Sequence, residues 1–248
     1  MGTKYEIDGA VPYTAREYGD GNSDEIVALV TGFGAKPNEF DTAGRELAQI
    51  GLDSVLYTYH PKILLDGNPE LLPDFIDTVQ HDFTYRAQGY DKRRYVGASL
   101  GGAITANLQK RDESPEHGYF AATAGNAAGL IMKNTLFRAA ILLTHHVDIK
   151  KAFEGRGHPY EDLNERWREL HQPPNSGFTV VLGMYDLAMQ EGRILPKVRE
   201  WKKTNPDIHV VHLPRLGHAA TIRWLDENLA EIIDKPPHRK FSLRDILD

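Results

Sequence analysis

The stretch that decides the reading is Arg93–Leu108, RRYVGASLGGAITANL. Its centre, Gly97-Ala98-Ser99-Leu100-Gly101, sets a serine between two glycines. A β-like run precedes it and a helix-like run follows. A sharp turn from strand to helix strains the backbone of the residue at its apex, and side chains two positions before and after would collide with it. Glycine at 97 and 101 removes both collisions, and Gly102 lets helix and strand approach closely. The helix N-terminus beneath the serine favours negative charge developing there. The bland alternative is an ordinary turn whose serine caps the helix.

A hydroxyl is a poor nucleophile without a base, and the base needs an orienting acid. At a Gly-x-Ser-x-Gly elbow the acid and then the histidine follow the serine in the chain. VVLGMYD ends a strand-like run at Asp186, and HLPRLGH follows another and ends at His218. Parallel strands present the residues beyond their carboxyl ends to a shared crevice. Asp148 and Glu191 are poorer substitutes for the acid. An oxyanion needs two donors. Leu100, directly after the serine, supplies one N–H, and the loop TGFGAKPNEF supplies the other from Phe33 or Gly34.

The rest of the chain fits this arrangement. KYEIDGAVPYTAREYGDG reads as a β-hairpin turning at Asp8-Gly9. EIVALVTGFG, DSVLYTYHP, RRYVGAS and GYFAATAG read as strands separated by helical segments. The first of those helices carries Asn38 as its expected N-cap and Gly51 as its stop. Strand–helix alternation at this spacing means βαβ units and a mostly parallel sheet. From Asn126 to Asn175 the pattern turns mainly helical, and then GFTVVLGMYD and DIHVVHLPRLGH resume the strands, each followed by a helix. The middle block therefore reads as a cap inserted into a single domain of residues 1–248. Its bulky Met132, Phe137 and Trp167 are candidates for shaping a pocket.

The elbow, the order Ser99, Asp186, His218 and the glycine loop after an early strand resemble the α/β-hydrolase superfamily. The resemblance runs from the opening hairpin to the helix after His218. It implies the α/β-hydrolase fold: a mostly parallel central sheet, helices on both faces and a variable cap. The usual family loop reads His-Gly-x, and here it is Thr31-Gly32-Phe33, which keeps the glycine and the amide. Family members that use an aspartate nucleophile are disfavoured by Ser99.

Composition narrows the classes further. The 248 residues are 41% hydrophobic and 26% charged, with net charge −6. That is an ordinary globular balance with no electrostatic call for nucleic acid. With no cysteine, thiolate catalysis and cysteine-held metals are excluded. No apolar run approaches the ~18 residues of a membrane span, and the start lacks the pattern of a signal peptide. A cytoplasmic protein is the default expectation, with nothing to specify its oligomeric state. His145, His146 and Asp148 do not make a metal site, because adjacent histidines diverge on either a strand or a helix. His60 stands at a strand end with no assignable role. The expectation is a cofactor-free, metal-free serine hydrolase acting on a small acyl substrate, with ester hydrolysis central. A thioesterase, a carbon–carbon bond hydrolase or an acyltransferase would use the same residues. A ligand receptor or scaffold would keep the fold without turnover.

Overall fold

The computed structural model describes residues 3–36, 38–123, 126–186 and 191–234, with side chains for all of these except 191–194. The expected hairpin forms as β1 (Lys4–Ile7) and β2 (Tyr13–Tyr18). There follow β3 (Glu25–Val30), α1 (Asp41–Gln49), β4 (Asp53–Tyr59), α2 (Lys62–Leu65), α3 (Leu71–Arg86), β5 (Lys92–Ala98), α4 (Leu100–Arg111) and β6 (Gly118–Ala121). Four helices come next: α5 (Ala127–Lys133), α6 (Thr135–His145), α7 (Ile149–Gly155) and α8 (Tyr160–Arg166). The chain continues through β7 (Phe178–Gly183), α9 (Glu191–Thr204), β8 (Ile208–Leu213) and α10 (His218–Asp234). The tail from residue 235 onward lies outside the described residues.

The eight strands form one sheet in the order β1-β2-β4-β3-β5-β6-β7-β8. The hairpin runs antiparallel at one edge, and β4 to β8 are mutually parallel through β3. Apolar runs explain the centre, since every residue of β3, β6 and β7 is buried. The chain steps from β3 outward to β4, then returns across β3 to β5 and proceeds the other way. Right-handed crossovers therefore place α1 on one face and α3, α4 and α9 on the other. The reversal falls between β3 and β5. In open parallel sheets this is where a crevice opens beyond the strands' carboxyl ends. At the opposite ends of these strands the buried Arg94 and Glu25 pair at 2.6 Å, which offsets the desolvation of both.

The first helix departs from the sequence reading. Asn38 does not cap it. Phe40 precedes the helix in a left-handed conformation (φ 65°) and offers no side-chain cap. The Ala43 N–H, third in the helix, is satisfied instead by Asp226 of α10 at 2.8 Å. A carboxylate from 183 residues away thus replaces the local cap. In the middle block, Asn126, Asn134 and Asp148 cap α5, α6 and α7 by accepting from the backbone three residues on. Among the described residues no single helix is long and apolar enough to cross a membrane, and α5 with α6 approaches that only as a pair bent by 75°.

His117 gives the fold a pH dependence. Its Nε2 lies 2.9 Å from Thr179 Oγ1. Burial, then the nearby His209 and Arg94, lower its pKa to about 4. Below the ordinary value of 6.5, the unfolded chain takes up a proton that the folded chain refuses. Stability attributable to this group is therefore complete above 6.5 and is lost as pH falls towards 4. The urea midpoint of the wild type should fall more between pH 7 and pH 4.5 than that of His117→Gln. Equal falls would show that His117 carries no such linkage.

Candidate active site

Ser99 stands between β5 and α4 at φ 54° and ψ −121°. Missing side chains make that conformation tolerable. A Cβ on Gly97 would lie 2.4 Å from the Gly101 carbonyl oxygen, and one on Gly101 would lie 2.2 Å from the Thr31 oxygen and 2.3 Å from the Val30 oxygen. Those obstacles are backbone, which cannot swing aside. The turn therefore presses the start of α4 against the end of β3.

Although Ser99 heads α4, its side chain makes no capping hydrogen bond. Its Oγ lies 3.2 Å from His218 Nε2, and His218 Nδ1 lies 2.8 Å from Asp186 Oδ2. An ionised Asp186 can only accept, so Nδ1 carries the proton and Nε2 is left to accept from the serine hydroxyl. Ser99 and Asp186 are buried, and His218 is partly exposed. The three residues singled out from the sequence thus converge from the carboxyl ends of β5, β7 and β8.

A cavity of about 430 Å³ opens onto Ser99 and His218. Gly32, Phe33 and Gly34 form one wall, and Ile222 and Arg223 of α10 lie on another. As the first residue of α4, Leu100 has an N–H with no partner within the helix. Among the described residues, no hydrogen bond engages the N–H of Phe33 or of Gly34. The Gly32 N–H is taken by the Glu39 carboxylate at 3.0 Å. Burial raises the pKa of Glu39, against the lowering effect of that hydrogen bond.

The other candidates have different surroundings. Asp148 caps α7 through the Lys151 N–H and is thereby occupied elsewhere. The side chain of Glu191 lies outside the described residues. His146 ends α6 in a left-handed conformation (φ 57°). The His145 ring stands edge-on to Phe33 at 5.6 Å, beside Phe137 at 6.3 Å from the same ring, so α6 rests on the loop after β3. His60 Nδ1 accepts the Lys62 N–H. Trp167 does not face a pocket, being fully buried with its indole N–H donating to the Pro69 carbonyl. Among the described residues no three His, Asp or Glu side chains are grouped to hold a metal ion. Glu39 and Asp226 escaped the sequence reading, because no motif marks a carboxylate whose partner is a distant backbone N–H.

No protein-family model and no curated protein matches this chain. Solved structures match its fold over nearly its whole length. MGS-MChE2, an α/β-hydrolase enzyme from the metagenome of lagoon sediments at Mar Chica, Morocco, matches with a TM-score of 0.61 at 16% identity, covering 93% of this chain and 96% of that one. The chain has the α/β-hydrolase fold. The Pyrococcus furiosus esterase Pf2001 matches with a TM-score of 0.65 at 12% identity, over 98% of this chain and 94% of its own. Est1E from Butyrivibrio proteoclasticus gives 0.63 at 14%, over 94% and 98%. At these identities the likeness is one of fold. Within the α/β-hydrolase fold, the turn at Ser99 has no room for a side chain at position 101. Gly101→Ala should destabilise by about 1–3 kcal/mol or more, because backbone must move to admit the methyl. Thermal unfolding checks this, with Ala103→Gly in the same helix as a reference for propensity alone. A Gly101→Ala protein as stable as the wild type would mean that the contact is not tight.

Proposed function

We propose that this chain is a serine hydrolase that cleaves carboxylic esters through an acyl-enzyme on Ser99. The observation that carries the reading is the direction of the Ser99 hydroxyl. It makes no capping bond to the backbone N–H groups of its own helix and meets a histidine already held by a carboxylate. A serine serving only as a cap has no reason to do so. The esterases among the solved structures of this fold support the choice of reaction class.

In this mechanism His218 Nε2 takes the Ser99 proton as Oγ attacks the carbonyl carbon. Asp186 fixes the imidazole tautomer and stabilises the imidazolium that forms. The N–H groups of Leu100 and of Phe33, or Gly34 beside it, hold the oxyanion in the cavity. Such donors are worth roughly 100–1000-fold in rate each. His218 next gives its proton to the leaving oxygen. A water then repeats the attack on the acyl-enzyme, and Ser99 is released. Residues 126–175 serve as a cap within a single domain. This block leaves the sheet beyond the carboxyl end of β6 and returns to the amino end of β7, and on the way α6 touches Phe33 through Phe137 and His145. A segment placed there shapes the acyl pocket and sheds water from it.

Fluorophosphonate labelling and turnover of short p-nitrophenyl esters test the chemistry. Ser99→Ala should abolish labelling and lower turnover by at least ~1000-fold. Asp186→Asn should lower kcat on the order of 10⁴-fold, while Asp148→Asn stays close to the wild type. Persistent turnover in Ser99→Ala would remove it from the mechanism, and a reversal of the two aspartate effects would move the acid into the middle block. Labelling without any turnover would favour a receptor.

The cap has its own test. Phe137→Ala should change kcat/KM unequally across esters of increasing acyl length, because it alters the packing around Phe33 without touching the reacting groups. A uniform loss on every ester, or none at all, would make the block a structural appendage.

A further inference from the structure

The loop from Gly32 to Phe40 holds a carboxylate that the proposed reaction does not use. Glu39 lines the same cavity as Ser99 and His218. Its Oε1 accepts the Gly32 N–H at 3.0 Å. A Cβ built on Gly32 would stand 3.2 Å from Ser99 Cβ and 3.6 Å from Glu39 Oε1. The bare face of this glycine therefore separates the nucleophile from the acid. An ionised group so close to a developing oxyanion works against it, since like charges repel most strongly where water is thin. The group is also costly to keep there. Burial, with Asp226 nearby, disfavours its charged form, and only the Gly32 N–H and His218 favour it. Such an arrangement needs a compensating role.

We propose that Glu39 is a positioning residue for ester hydrolysis, clamping the Gly32 N–H so that the adjoining Phe33 N–H points at the oxyanion. Gly32 is the loosest link in this wall, because without a Cβ it ranges widely in φ and ψ. Its ψ sets the direction of the next N–H, which is that of Phe33. Among the described residues, the loop's internal backbone ties near this point are Ala35 N–H to the Gly32 carbonyl at 3.3 Å and Glu39 N–H to the Lys36 carbonyl at 3.0 Å. The Glu39 side chain joins the two ends of the loop and fixes the peptide before Gly32. Lose that clamp and the Gly32 N–H is left without a partner, free to turn and to carry the Phe33 N–H with it.

The inference rests on Ser99 as nucleophile. Wild type and Ser99→Ala are therefore compared first on p-nitrophenyl butyrate. Turnover surviving in Ser99→Ala would sink the mechanism and this inference together. With that turnover absent, three variants decide the matter. Glu39→Ala should lower kcat by about 10–100-fold with KM within about threefold, as expected for a misdirected oxyanion donor. Glu39→Gln should recover most of kcat, because its amide oxygen accepts the same N–H. Glu39→Asp keeps the charge but falls short of Gly32, and should be as impaired as Glu39→Ala. Should Glu39→Ala fail to fold, the contrast between Glu39→Asp and Glu39→Gln still decides. A Glu39→Ala enzyme like the wild type would overturn the inference. So would a Glu39→Gln enzyme worse than Glu39→Asp, which would make charge rather than the clamp the active property, or a loss confined to KM.

Discussion

A non-glycine residue held at positive φ costs on the order of 1–3 kcal/mol and persists only where its surroundings insist on it. Here the surroundings are the β5–α4 turn, in which Ser99 sits at φ 54° with Gly97 and Gly101 on either side. The turn is also pinned from outside, since the Ser99 N–H donates to the Ala121 carbonyl of β6. The same close approach that forbids side chains at 97 and 101 lays the start of α4 on the end of β3. In this way the strain at one residue brings the hydroxyl, the Leu100 N–H and the glycine loop after β3 into one place.

Everything else in the site depends on the sheet. β3 and β5 are neighbours in it, although β4 lies between them in the chain. Their carboxyl ends flank the point where the strand order reverses, and the loop and the serine therefore face one crevice. β7 and β8 continue the sheet on the β5 side, and their carboxyl ends supply Asp186 and His218. Ser99 and His218 meet across 119 residues of sequence, with parallel pairing as the means. Helix α10 then returns to α1, where Asp226 caps the Ala43 N–H. One helix thus carries the histidine at its start and anchors the opposite wall further along.

The parts of this arrangement legible in the sequence are those with local causes. Glycines at 97 and 101 announce a turn that nothing else tolerates. Continuous apolar runs mark strands buried on both faces, and aspartate and histidine stand just past two of them. What was not legible has distant causes. Asn38 looked like the cap of α1, but the cap is Asp226, and only the packing of α10 on α1 reveals it. Glu39 belongs to an unremarkable NEFD stretch until the fold returns it to Gly32. Trp167 has the bulk of a pocket wall, yet its indole finds Pro69 and Phe153 inside the fold. The mainly helical character of residues 126–175 followed from a lost strand rhythm. Their contacts did not, since amphipathic helices of this length can pack in many ways.

Among the described residues β8 occupies the edge of the sheet and is paired on one side only, with four of its six residues at least partly open to solvent. Edge elements with few buried contacts open at lower free energy than the interior of a domain. The histidine hangs from this edge, whereas the serine belongs to the centre. Peeling of β8 and α10 would disconnect the two while the remaining strands stay paired. Loss of the Ser99–His218 contact on warming would then precede loss of the sheet, and that contact would report on the fraying of the sheet's margin.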